Sequence, residues 1–422
     1  MWTMLRTNAD MRRLFVAQVI SYLGDWFSFV ALIGLVDDVT HSSFLVSMVV
    51  VSFSLPSFLA SPIAGVVVDR FDRRRVLILV SSIQTVAALG LLFVDKGTIW
   101  LAFVCQSLIS ALAAIVKPAM EAGTPNLARD ATELGRAQAL FGSTWGVMLA
   151  LGAAIGGFFA AAFGRDAAFV ANGISFVLAA ILIFLIRRPL QEQRHGRSTR
   201  IRPLADMHEA LSHARRDPVL LALLLSKTTF AVGSGVVSQL AVLASDVYKG
   251  GDGARGLLIA ARGAGVGLGP ILATRYTGDD VSKVLTVCGY AGLGFSCFYF
   301  GGAWMPQLWM CFVLITLAHI GGGAQWTLST YGLQLRSPDA IRGRILAGDF
   351  ALVTLVLSIT SAAAGVLSQA TSVRLAISVF SLAASLASLV YINATRNLRM
   401  QLRRRSEPGP ADRSPDSLPS GS

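Results

Sequence analysis

The sequence has few charged residues and lacks the patterns of a soluble enzyme. Only 14% of its 422 residues are charged, against about 25% in a typical soluble domain. It contains no Walker loop, no His-rich metal set and no Ser-His-Asp pattern, so we expect no catalytic activity, no cofactor and no metal site. The four cysteines lie in apolar runs without a close Cys or His partner, which excludes a metal cluster. They are Cys105, Cys288, Cys297 and Cys311.

Apolar residues are abundant and are grouped in long runs. They make up 54% of the chain, whose mean hydropathy is +0.62, more than one soluble globule can hide from water. A helix needs about 20 apolar residues to cross the hydrocarbon of a bilayer. The sequence therefore predicts an all-α membrane protein of twelve transmembrane helices. The predicted spans are 12–36, 43–68, 75–94, 98–120, 137–163, 167–186, 218–245, 254–275, 283–303, 306–333, 345–370 and 372–395.

The basic residues indicate how the chain is oriented. The net charge is +12, but the Arg residues lie between apolar runs instead of forming one basic face, which argues against nucleic acid as a partner. Most Lys and Arg residues fall in loops on the side of the N-terminus, and an even number of spans brings the C-terminus to the same side. The positive-inside rule then predicts a multi-pass protein of the plasma (inner) membrane with both termini cytoplasmic. We also expect the protein to be a monomer in contact with the lipid bilayer.

The domain organisation follows from the breaks between runs. Leu204, Met207, Leu211 and Ala214 recur at helical spacing in the longest break, which predicts either an amphipathic surface helix or a solvated linker helix. The tail is rich in Pro, Ser and Arg and is expected to be disordered. The predicted units are an N-terminal six-helix bundle (1–186), a cytoplasmic linker (187–217), a C-terminal six-helix bundle (218–396) and the tail (397–422).

A weak internal repeat supports duplication of one bundle. Gly135, Arg136 and Gly157 open or line the fifth span of the first half. The same three residue types recur half a chain later, at the fifth span of the second half, as Gly343, Arg344 and Gly365. Secondary transporters are often built from such repeats around a site at the bilayer midplane. The two bundles are therefore predicted to be pseudo-symmetric.

The loop after the second span resembles the signature loop of the major facilitator superfamily, G-x-x-x-D-R/K-x-G-R/K-R/K. Asp72 stands where that pattern has its second glycine. The resemblance implies the major facilitator fold and a latch that helps to close the cytoplasmic side, with arginines able to pair with acids across the halves. Asp349, in the inner third of the eleventh span, is expected to pair with Arg344 or with this loop. The matching residues are Gly65, Asp69, Arg70, Arg73 and Arg74.

Further stretches are similar to the macrolide-efflux-like branch of the superfamily, which implies drug:proton antiport. Residues 152–157 are similar to its G-P-x-x-G-G motif, although Ala153 replaces the proline and removes its kink. The other similar stretches are 11–15, 21–27, 118–119, 169–176, 261–265 and 342–344.

Ionisable residues inside predicted spans are candidates for function, because a charge in a bilayer is costly unless it faces water or a partner. Asp25 is either protonated by burial, paired with Lys227 or Arg262, or placed in a water-filled cavity, and its role is proton carrier, substrate contact or packing. Lys227 and Arg262 could instead bind an anionic substrate group. His319 titrates near neutrality, although a lone His is more often structural.

Lys117 and Glu121 lie four residues apart on one helix face and predict a structural ion pair.

Together these features predict a secondary active transporter that couples proton entry to the efflux of a small amphipathic solute or drug by alternating access. A small-molecule substrate and protons are its expected partners. Two alternatives remain open from the sequence, because fold fixes neither direction nor substrate. One is an importer or facilitator of a small metabolite, and the other is a non-transporting membrane receptor.

Overall fold

The computed structural model describes residues 2–191, 212, 214–277, 280–337 and 339–406. Twelve long helices dominate the described part of the chain, which confirms the predicted fold class. In chain order they are α1 (Ala9–Thr40), α2 (Ser43–Arg70), α3 (Arg73–Gly90), α4 (Ile99–Leu127), α5 (Ala131–Phe163), α6 (Arg165–Phe184), α7 (Pro218–Val247), α8 (Asp252–Thr277), α9 (Val281–Ala303), α10 (Leu308–Arg336), α11 (Asp339–Ala370) and α12 (Val373–Ala394).

These helices are long and apolar enough to cross a membrane. Within the described residues eleven meet that test by length and composition, and α5 contributes the shorter apolar stretch Val147–Phe163. Several run further than predicted because polar side chains cap them outside the apolar core. Asn8, for example, accepts a hydrogen bond from the backbone of Met11 at the start of α1. Asp72 caps α3 in the same way through the amide of Arg75, which gives the departure from the signature loop a local structural role.

The twelve helices pack as two groups of six, α1–α6 and α7–α12. The main contacts between the groups are α5 against α8 and α2 against α11. Helices α3, α6, α9 and α12 pack mainly within their own group and expose large apolar side chains such as Val86, Phe184, Tyr290 and Leu386. Exposed apolar faces of this kind are suited to lipid. The described helices are thus arranged as two bundles with a shared central interface.

Two glycines of the predicted repeat occupy equivalent places in that interface. A Cβ atom at Gly157 of α5 would lie 2.6 Å from the carbonyl oxygen of Asp252 in α8. A Cβ atom at Gly365 of α11 would lie 2.5 Å from the hydroxyl oxygen of Ser47 in α2. Glycine therefore allows close backbone approach at both contacts between the bundles. The pairing of α5 with α8 and of α11 with α2 has the symmetry expected of a duplicated bundle.

Two predictions about the connecting segments have different outcomes. Of the four residues predicted to form an amphipathic linker helix, Leu204, Met207 and Leu211 lie outside the described residues, and Ala214 is buried in the apolar core of the second bundle. The prediction of disorder from residue 397 is wrong up to Ser406, because Arg396–Ser406 form a helix. Leu398 and Leu402 of this helix pack against the apolar core of the second bundle, and the hydroxyl of Ser282 donates to the carbonyl of Arg399. The segment therefore has apolar surface to bury.

Candidate transport site and gate

Asp25 lies in the middle of α1, inside the first bundle. Its carboxyl group faces the side chain of Asn172 in α6, and its buried Oδ1 atom has no hydrogen-bond partner. None of the ion pairs formed by the described residues includes Asp25, so the structure pairs it with neither Lys227 nor Arg262. It is a carboxyl group within the membrane whose hydrogen-bonding capacity is only partly used.

Asp25 also contributes to the wall of a cavity lined by both polar and apolar side chains. The cavity has a volume of about 100 Å³ and lies between α1, α3, α4 and α5, within the first bundle. A space of this size is large enough for several water molecules. Its polar lining residues are Gln18, Ser21, Tyr22, Asp25, Gln84, Lys117 and Glu121. The arrangement brings the acid of α1 to the same cavity as the two charged residues of α4.

The predicted ion pair between Lys117 and Glu121 is not formed. Both side chains are exposed, and no ion pair of the described residues joins them. An exposed pair gains little Coulomb energy and loses side-chain entropy when it forms, so helical spacing alone does not ensure contact. The two charges line the cavity separately instead of neutralising each other.

Lys227 and Asp349 form a buried ion pair within the second bundle. The ammonium group of Lys227 in α7 donates to Oδ2 of Asp349 in α11 and, over 2.8 Å, to the hydroxyl of Thr330 in α10. It also lies 4.9 Å from the ring centroid of Trp326, a distance that allows a cation–π interaction. The structure therefore pairs Asp349 with Lys227 inside the membrane. The side chain of Arg344, the partner that we expected from the sequence, is outside the described set.

His319 and Arg262 lie near each other in the second bundle. His319 of α10 is fully buried, and its Nε2 atom is 2.8 Å from the hydroxyl of Tyr299. The rings of Phe230 and Phe295 surround the imidazole at centroid distances of 6.2 and 5.4 Å. Arg262 of α8 interacts electrostatically with Tyr299 and His319 and forms no ion pair with a described residue. His319 thus has the packed, hydrogen-bonded environment of a structural residue.

The signature loop is described only in part. The side chains of Gly65, Asp69, Arg70 and Arg344 are outside the described set. Arg73 is buried and donates to the carbonyls of Ala122 and Leu190 over 2.8 and 3.0 Å, while Arg74 donates to the carbonyl of Arg188 over 2.9 Å. These hydrogen bonds go to backbone carbonyls of the first bundle and of the segment after it, and the pairing of the signature-loop arginines with acids across the halves stays a prediction. Arg188 and Leu190 lie beyond the last residue of α6, where carbonyls lack helical partners and attract arginine.

A charged network that we did not anticipate joins the two bundles at one end. We call the side that carries Asn8 the terminal face and the side that carries Thr40 the distal face. At the distal face, Arg255 donates to Asp37 over 2.7 Å, to Asp38 over 2.8 Å and to Asp252 over 2.8 Å. Arg165 donates to Asp38 over 2.6 Å and to Asp252 over 2.8 Å. The distal network comprises Asp37, Asp38, Arg165, Ser245, Asp252 and Arg255.

The two faces differ in how the bundles meet. Beyond the distal network, the bundles share hydrogen bonds between Ser47 and Gln239 (2.8 Å) and between Ser54 and Ser358 (3.3 Å). At the terminal face, the described polar contacts stay within one bundle. Examples are Asn8 with Glu133 (3.0 Å) and Arg336 with Asp217 (2.8 Å). In the part of the chain that can be described, the structure is closed between the bundles at its distal face.

Comparison with known proteins agrees with this architecture. Residues 1–410 match the profile of the transmembrane secretion effector family. The chain is 28% identical over 225 residues to YfiS of Bacillus subtilis, a transporter of the major facilitator superfamily (MFS) type. This match spans 53% of each protein. It is 24% identical over 371 residues to BacE of Bacillus subtilis, a proposed bacilysin exporter, covering 86% of this chain and 90% of BacE.

Among solved structures, the chain is similar to a bacterial homologue of the human lysosomal transporter Spinster in an inward-facing, unoccupied conformation. The TM-score is 0.72 at 16% identity, covering 95% of this chain and 98% of the other. At that identity the likeness concerns the fold alone.

Proposed function

Because the chain belongs to the transmembrane secretion effector family of major facilitator transporters, we propose that it exports a small amphipathic solute and couples this export to proton entry. That it is a membrane transporter, and not an enzyme, follows from the family match and the transporter relatives. Export is favoured by BacE, which resembles this chain along most of its length. We also propose that the chain belongs to the macrolide-efflux-like branch and works by drug:proton antiport. We propose further that it lies in the plasma membrane with both termini in the cytoplasm.

Alternating access accounts for the difference between the two faces. The distal network joins the bundles by hydrogen bonds between charged groups, which can break and reform when the bundles rock. With the chain ends on the cytoplasmic side, as the arginine distribution predicts, the described conformation is closed to the outside. In this conformation the proposed transporter collects its solute from the cytoplasm. Opening of the distal network would then release the solute outside.

Asp25 is the residue that we assign to proton coupling. The supporting observation is its position: a carboxyl group in mid-membrane, with one oxygen unpaired, lining a cavity that Lys117 and Glu121 also line. A proton gradient drives transport only if the acid binds protons with different affinity in the two facing states. Rocking of the bundles changes the access of water to the cavity and so supplies that difference.

Replacement of Asp25 by Asn tests the coupling. A growth screen of a deletion strain against toxic amphiphiles first selects the exported solute, and efflux is then measured in proteoliposomes with and without a pH gradient. We expect D25N to lose gradient-driven efflux while solute exchange at equal pH continues. The control is D166N, because Asp166 is an exposed carboxylate at the distal end of α6 and its change should leave efflux intact.

Three outcomes would change the proposal. Full gradient-driven efflux in D25N would remove Asp25 from coupling. Wild-type counterflow that never responds to a gradient would favour a facilitator or importer on the same fold. Failure of the wild-type protein to move any selected solute in vesicles would favour a receptor.

A further inference from the structure

Arg262 is a cation inside the membrane that has no counter-charge among the residues that the structure describes. It lies in α8 ten residues beyond Asp252, which places it about 15 Å from the distal end of the helix. Its side chain is partly exposed, and its buried Nε atom has no hydrogen-bond partner. None of the ion pairs among the described residues includes Arg262. Lys227 and Asp349, which are also charged residues inside this bundle, neutralise each other.

An unpaired guanidinium in this position is costly. A charge at the centre of a helix costs at least about 2.5 to 3.5 kcal/mol on insertion scales unless a partner or water compensates. The neighbouring polar groups do not compensate it, because Tyr299 and His319 are hydrogen-bonded to each other and neither carries a negative charge at neutral pH. A destabilising group without a structural partner is characteristic of functional sites.

The surroundings of Arg262 indicate the chemistry of a ligand. A guanidinium presents a planar set of donors that matches the two oxygens of a carboxylate. Tyr299, which interacts electrostatically with Arg262, belongs to an aromatic cluster in which Phe295 lies 4.7 Å from Phe230 and 4.7 Å from Tyr299, centroid to centroid, and Phe230 is the partly exposed ring. Such a cluster favours an apolar group beside the charged one.

We infer that Arg262 binds the carboxylate of an amphipathic organic anion, with the apolar part of that anion directed to Phe230, the partly exposed ring of the aromatic cluster. This inference rests on the proposed export function and names the class of its substrate. From the sequence, Lys227 and Arg262 were equivalent candidates for binding an anionic group of the substrate. The structure distinguishes them, because Lys227 forms an ion pair with Asp349 whereas Arg262 is available to a ligand.

Matched ligands that differ in charge test the assignment. Purified wild-type protein in detergent is titrated at pH 7 with 1-naphthaleneacetate and with 1-naphthaleneacetamide, which is neutral and of nearly the same shape. Equilibrium dialysis gives each dissociation constant. We expect the carboxylate to bind about tenfold more tightly or better, since a hydrogen bond to a charged group contributes about 1.5 to 3 kcal/mol. Equal affinities, or no binding of either compound, would overturn the inference.

Three variants locate the binding. R262Q should bind the two ligands equally, and R262K should keep part of the preference because an ammonium retains the charge but loses the planar fork. R275Q is the matched control: Arg275 is exposed in the last turn of the same helix, and its loss should leave the preference unchanged. An undiminished preference in R262Q would exclude Arg262 as the site.

Melting temperature separates a ligand site from a structural counter-ion. Removal of an unpaired charge should leave the melting temperature of R262Q unchanged or raise it. A clear decrease would indicate that Arg262 neutralises a structural acid, such as Asp25 in another conformation, and would contradict the inference. Dialysis needs no gradient, so carboxylate binding through Arg262 without any vesicle efflux would refute export alone. Wild-type efflux of the selected solute by R262Q would refute the substrate assignment alone.

Discussion

Two groups of buried charges in this protein have similar chemistry and different locations. The distal network is shared by the two bundles: Arg255 of the second bundle contacts Asp37 and Asp38 of the first. The pair of Lys227 and Asp349 is contained in the second bundle, and both side chains are at most 5% exposed. Both groups neutralise charge, but Asp38 of the distal network is about half exposed, whereas Lys227 and Asp349 lie in a region of low dielectric constant.

The difference in location determines what happens when a partner is removed. If the bundles separate at the distal face, water reaches the carboxylates of the distal network, so loss of Arg255 shifts a conformational equilibrium. If each bundle rocks as a rigid body, Asp349 is not hydrated by the motion, because its partners on α7 and α10 belong to the same bundle. Loss of Lys227 therefore acts on the stability of the bundle itself.

The largest expected effect is that of K227M. It leaves the carboxyl group of Asp349 buried without its cation, and breaking a buried pair in this way typically costs about 3 to 5 kcal/mol. Denaturant titration of the detergent-solubilised protein should show this loss. The double variant K227M/D349L removes both charges and should recover most of the stability. A double variant as unstable as the single one would show that packing, not the lone charge, is responsible.

The next effect is that of R255Q on the distal face. Spin labels at Phe163 and Thr371, which are exposed at the distal ends of α5 and α11, report the separation of the bundles in a Cys297→Ser background. Three hydrogen bonds to carboxylates are lost, and one such bond contributes about 1.5 to 3 kcal/mol. We expect the ratio of closed to open molecules to fall about tenfold or more, seen as a longer distance by pulsed electron resonance.

R374Q is the control for this measurement. Arg374 also lies at the distal face, but its guanidinium is 5.6 Å from the ring centroid of Trp304 in the same bundle. Its removal should leave the distance distribution unchanged. An unchanged distribution in R255Q would mean that close helix contacts, such as that of Gly157 with α8, hold the distal face without the network.

The long helices could be predicted from the sequence, but the partners of their charges could not. Apolar runs locate helices because the bilayer demands about 20 apolar residues for each span. Lys227 and Asp349 are separated by 122 positions, and no local pattern connects them. The sequence contains one indication of the distal network. Acidic and basic residues lie at the ends of predicted spans on the same side of the membrane, namely Asp37, Asp38, Asp252, Arg165 and Arg255. Pairing across the bundles depends on packing that only the three-dimensional structure provides.

The smallest expected effect is that of D217N at the terminal face, where the pair with Arg336 stays within the second bundle. Burial raises the pKa of Asp217, but hydrogen bonds from Arg336 and from the amides of Val219 and Leu220 outweigh this, and the pKa is lowered overall. Asn retains the helix cap, so D217N removes only the charge and should cost about 1 kcal/mol or less, as for other exposed pairs.

The loss of unfolding free energy in D217N should depend on pH, and the shifted pKa of Asp217 determines the direction of that dependence. Because the pKa of Asp217 is lower in the folded protein, its charge stabilises the fold above the unfolded pKa of about 3.9. The contribution disappears as pH falls through the folded value. Denaturant titration should therefore separate wild type from D217N at pH 7, with the difference shrinking once pH falls below about 4. D217A, which also removes the cap, should lose about 1 kcal/mol more at every pH. A change in the distance between the spin labels in D217N would contradict the assignment of this pair to one bundle.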